Sequence, residues 1–122
     1  MASTALIALA GLLGAAGVVL LAASAHSVPG AGLDSAGHML LFHAAAVLGG
    51  AAVLQAGLVW RPLGLIAVCG LVLGAALFSG DLALRAFAGH RLFPMAAPTG
   101  GTILIASWLL LAAAGIAAAL RD

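Results

Sequence analysis

Residues 61–85 read RPLGLIAVCGLVLGAALFSGDLALR. Between Arg61 and Asp81 there is no charged side chain, and residues 63–80 form an unbroken apolar and small run. A run of about 17–25 such residues is what a helix needs to cross the hydrocarbon core of a bilayer. It shows no period-two alternation, so it reads as a helix and not a barrel strand. It opens on Trp60, Arg61 and Pro62, an interfacial aromatic and cation followed by a proline at a helix start. It closes on Asp81 and Arg85, one helical turn apart, with the acid N-terminal to the base.

Three further runs of this kind flank it, at residues 5–25, 39–59 and 103–120. None contains Lys, Arg, Asp or Glu. The 122-residue chain is 66% hydrophobic and 6% charged, far from the roughly 45–50% and 25% of a soluble domain. So short a soluble chain could not bury that apolar surface. The expected fold is therefore an all-α integral membrane protein: one domain over 1–122, with four transmembrane helices in an antiparallel bundle at about 4–25, 37–59, 63–85 and 100–120. Ala23-Ser24-Ala25 resembles a signal-peptidase site. The preceding run lacks a basic leader and is longer than a signal core, so an uncut helix is expected.

The connections carry the polar residues. Pro29, Gly30 and Gly32 break the first pair of runs, and Asp34 or Ser35 is a candidate cap for the second helix. The longest connection is expected over 84–102, with Thr99 capping the fourth helix. Four crossings put both termini and the second connection on one side. His26, Asp34, His38, Asp81, Arg85, His90 and Arg91 then gather on the other, with His43 about 7–8 Å deeper than His38. On that face the candidate ligand-binding residues are His26, His43, Ser79, Asp81, Arg85, Arg91, Thr99, Gly100 and Gly101. A helix start rich in glycine beside two arginines is a physically reasonable place for an anion. His43, inside a membrane span, needs a hydrogen-bond partner, expected in Asp81 or the third connection.

Other functions lack support in the residues. No lysine and only four arginines argue against nucleic acid. His38 and His43 diverge on a helix, and there is no cysteine cluster, so no metal and no other cofactor is expected. Ser79, His43 and Asp81 lack any nucleophile-elbow pattern, so no enzyme activity is expected. Gly70-x-x-x-Gly74 and Gly11, Gly14 and Gly17 are close-packing patterns, read first as contacts within the chain.

The segments Ala23-Ser24-Ala25-His26, Phe42-His43-Ala44-Ala45-Ala46, Leu77-Phe78-Ser79-Gly80-Asp81-Leu82, Ala97-Pro98-Thr99-Gly100-Gly101 and Trp108-Leu109 resemble, in order, those of the YgdD-like small bacterial inner-membrane proteins. That is a domain-of-unknown-function family with eukaryotic relatives. Ser24, Phe42, Asp81 and Ser107 depart from its pattern, where Gly, Tyr, Ser and Gly stand. The resemblance implies a four-helix membrane protein and carries no activity. The expected role is structural or accessory, with membrane lipids and either a homo-oligomer or a larger membrane complex as partners. The alternative is binding or transport of a small anion, lipid headgroup or protons. The location expected is the bacterial inner membrane, with the termini in the cytoplasm on a margin of one arginine.

Overall fold

The computed structural model describes residues 1–121. It holds four helices: α1 (Ala2–His26), α2 (Leu33–Gln55), α3 (Arg61–Ala88) and α4 (Ala96–Ala119). Each is long and apolar enough to span a membrane. No strand occurs among the described residues. The fold is thus the four-span helical one that the apolar runs require.

The ends of the helices differ from the sequence reading for physical reasons. α2 starts at Leu33 and stops at Gln55, four residues before the expected span at both ends. Its start follows Gly32 in the left-handed conformation (φ 76°), with no side-chain cap, so neither Asp34 nor Ser35 takes that role. Its end is fixed by Gly57 (φ 72°) and the Leu58 N–H bonded to Val53 O, a Schellman closure. α4 starts at Ala96, after left-handed Met95 (φ 68°), also without a side-chain cap. Thr99 is therefore inside the helix, its N–H bonded to Met95 O. Pro98 falls in the first turn, where a missing N–H costs nothing. The third connection shrinks accordingly to residues 89–95.

Two tight hairpins result. In α1–α2, a methyl group added at Gly17 would lie 2.9 Å from Gly37 O, and one added at Gly37 would lie 3.0 Å from Gly17 O. In α3–α4 the same reciprocal approach joins Gly74 and Gly100, at 2.8 and 2.7 Å. Gly70 likewise abuts Ser107. The Gly70-x-x-x-Gly74 pattern is thus used within the chain, where backbones approach closely because no side chain intervenes.

The hairpins join through α2 and α3. Val47, Val68, Leu71 and Ala75 are fully buried there. Gly50 receives Val68, and Gly64 receives Val59 and Leu54. α1 touches α3 lightly, while the backbones of α1 and α4 do not approach each other. The bundle is therefore an open one, with α2 and α3 central. Met1 lies in a groove with Gln55, and Arg121 stacks 5.4 Å from the Trp60 ring. Both described chain ends thus share one side with the second connection, as four crossings demand.

Candidate functional site

On the other side, the last three turns of α3 carry Ser79, Asp81 and Arg85. Ser79 is buried, and its hydroxyl donates to Ala36 O at 2.9 Å, tying α3 to the first turn of α2. Asp81 is 1% exposed. Its Oδ1 accepts the Leu92 N–H at 3.0 Å, and its Oδ2 pairs with Arg85 Nη2 at 3.0 Å. The carboxylate therefore pins the third connection onto the end of α3. Leu92 is drawn over Gly80 by the same bond, 3.5 Å from where a Cβ would stand. Arg85 is about a third exposed, and its Nε is buried without a partner.

His43 belongs to a different place. Nδ1 sits 2.8 Å from Met39 O, and Nε2 accepts the Trp108 indole N–H at 3.2 Å. A carbonyl oxygen only accepts, so Nδ1 carries the proton and Nε2 is the bare acceptor. Both nitrogens of this buried ring are satisfied. The expected partner, Asp81 or the third connection, is out of reach. Ser79 meets α2 at Ala36, which leaves His43 about 10 Å further along the axis and Asp81 about 3 Å the other way. The same offset separates Ser79 from His43 beyond any hydrogen bond.

Trp108 was absent from the candidate set, although it matches the resemblance. An indole N–H within an apolar span requires an acceptor, and that requirement was the available signal. Its bond to His43 bridges α2 and α4, whose backbones do not approach each other.

The remaining candidates scatter. His26 ends α1, exposed and outside these bonds; Arg91 is exposed on the third connection. Gly100 is the fifth residue of α4, buried against α3, and lies past the free N–H groups of the first turn. Gly101 faces open space. The glycine pair thus serves helix contact, at least at Gly100, and does not form a loop around an anion. No group of three or more His, Cys, Asp or Glu close enough to hold a metal lies among the described residues. An apolar groove of ≈ 370 Å³ runs between α1 and α3, floored by Leu40 of α2.

Four spans packed this way, with polar side chains bridging helices inside them, define a small multi-pass membrane protein. Residues 13–101 match the family model described as Protein of unknown function (DUF423). The chain belongs to that family, in agreement with the YgdD-like resemblance. No curated protein and no solved structure matches it.

Proposed function

We propose that the protein is a structural or accessory component of the bacterial inner membrane, packing with itself or a larger membrane complex and performing no chemistry of its own. The observation that supports this is the engagement of its buried polar groups. Ser79, Asp81 and His43 each have their hydrogen-bonding atoms taken by partners within the chain. A carboxylate held by a backbone N–H and a guanidinium, and an imidazole with both nitrogens bonded, are anchors. The termini lie in the cytoplasm on this reading: Asp81 neutralises Arg85, leaving Arg61 and Arg121 against Arg91.

Arg85 favours a second reading, a lipid headgroup or free anion held at the polar face. One guanidinium nitrogen is in the ion pair, Nε has no partner, and Arg91 is exposed on the adjoining connection. The experiment separating the two uses His43→Ala, which breaks an anchor, and the double variant Arg85→Gln/Arg91→Gln, which removes the cations of the polar face. Its readouts are thermal stability in detergent and binding of inorganic phosphate and phosphatidylglycerol vesicles. Lost stability with unchanged binding supports the packing role. Intact folding with lost binding supports the second reading, and the two probes separate a free anion from a headgroup.

A further inference from the structure

The two hairpins are the same object twice. Gly37 and Gly100 are each the fifth residue of their helix, and each helix follows a left-handed residue without a side-chain cap. Four residues beyond them, Leu41 and Leu104 press on the facing glycine, with Cγ 2.9 Å and 2.8 Å from the Cβ positions of Gly17 and Gly74. Fourteen residues beyond them, Ala51 and Ala114 are both buried. Seven residues before Gly17 and Gly74, so are Ala10 and Ala67. The α1–α2 pair therefore maps onto α3–α4 helix by helix, in the same up-down sense.

This repeat leaves one interface without its counterpart. The first hairpin joins the second through α2 against α3, where Gly50 receives Val68. The positions equivalent to Gly50 and Val68 are Ala113 on α4 and Gly11 on α1. Ala113 is exposed, and nothing lies within 4 Å of a Cβ at Gly11. On α4, Ile103 and Leu110 stand where α2 has the packed Leu40 and Val47, so α2's half of the joining face is repeated in its apolar pattern. On α1, Gly11 and Gly14 stand where α3 has Val68 and Leu71, so that half is smoother. Within one chain α1 and α4 cannot complete the match, because their backbones do not approach.

We propose that α4 of one copy packs against α1 of the next, taking between chains the place in the repeat that the α2–α3 contact holds within the chain, with the small Gly11 and Ala113 letting the two helices approach closely. The partner is a second copy of this protein, and the contact is head-to-tail. Because both hairpins thread the bilayer in the same sense, the operation relating them is a rotation about an axis near the membrane normal. Head-to-tail contacts so related close into a ring where the rotation divides a full turn and run on as an open row where it does not. This inference rests on the packing role proposed above and commits its partner.

Disulfide crosslinking in membrane vesicles tests it, in a Cys69→Ala background that removes the exposed native thiol. Gly11→Cys and Ala113→Cys point into open space, so neither disturbs the fold of one chain. On oxidation the double variant yields a ladder of dimers, trimers and higher species. Neither single variant crosslinks, and co-expressed single variants stop at dimers. A missing ladder, a dimer from either single variant, or an intrachain bond in the double variant overturns the inference. So does an equal ladder from Gly11→Cys paired with Ala112→Cys, which lies at the same depth about 100° further round α4, where the matching α2 residue Gly49 faces open space; that ladder would report random collision. If the ladder is missing while His43→Ala still loses stability without altering binding, the packing role survives with a different partner and only this inference falls.

Discussion

Adjacent glycines at the start of α4 should respond oppositely to the same substitution. At Gly100, an added methyl would stand 2.6 Å from Phe78 N, 2.7 Å from Gly74 O and 3.1 Å from Leu77 Cβ. Two of those three neighbours are backbone atoms of α3, which cannot rotate aside. Ordinary contact needs roughly a further 1 Å, so the α3–α4 hairpin must open. Forced overpacking costs typically 1–3 kcal/mol, and rigid obstacles place this case at the upper end. Alanine returns about 1 kcal/mol through helix propensity, leaving Gly100→Ala destabilised by about 1–2 kcal/mol. At Gly101 nothing lies within 4 Å, so only the propensity gain acts. Gly101→Ala should stabilise by about 0.5–1 kcal/mol. The assay is reversible unfolding in mixed micelles, followed by helix content against the mole fraction of denaturing detergent. Equal signs for the two variants, or a stabilised Gly100→Ala, would refute the close-packed geometry.

The Trp108–His43 bond predicts a positive coupling between Trp108→Phe and His43→Phe in a double-mutant cycle. Its size should be about 0.6–1.7 kcal/mol, the range for interhelical hydrogen bonds in membranes. Asp81→Asn retains an acceptor for the Leu92 N–H and loses the half-solvated ion pair, at a cost of about 1 kcal/mol. Asp81→Ala removes both partners and should cost about 2–3 kcal/mol. Hydrogen exchange at the Leu92 amide checks the order: protection survives in Asp81→Asn and is lost in Asp81→Ala. Ser79→Ala should lower stability by about 1 kcal/mol, measured in the same unfolding assay, because it frees the Ala36 carbonyl without leaving a charge behind.

Four crossings were legible in the sequence because nothing but a bilayer accommodates four such apolar runs in so short a chain. The sidedness of the polar residues followed from that count. Helix starts were less legible, because Gly32 and Met95 begin their helices through backbone conformation, and no side-chain cap marks the place. Thr99 and Asp34 are capable caps that the chain does not use. The Asp81–Arg85 pair was readable as neighbours on one helix. The Leu92 N–H that completes it was not, since it depends on how the third connection folds back. His43 could be read as needing a partner. Choosing Trp108 over Asp81 required the α2–α3 register, which the Ser79–Ala36 bond sets and no local pattern announces. Gly100 reads in the sequence as part of an anion-binding helix start; its place one turn further in, against α3, follows only from α4 beginning at Ala96.

The account stands on buried polar side chains holding helices together, and His43 is where that can be measured most directly. Nitrogen NMR on the ring-labelled protein in lipid bilayers reports which imidazole nitrogen carries the proton and what the other meets. A protonated Nδ1 with an unprotonated Nε2, correlated with the Trp108 indole N–H, is the expected result. A proton on Nε2, or a doubly protonated ring without that indole correlation, would contradict it and return His43 to the residues available for a ligand.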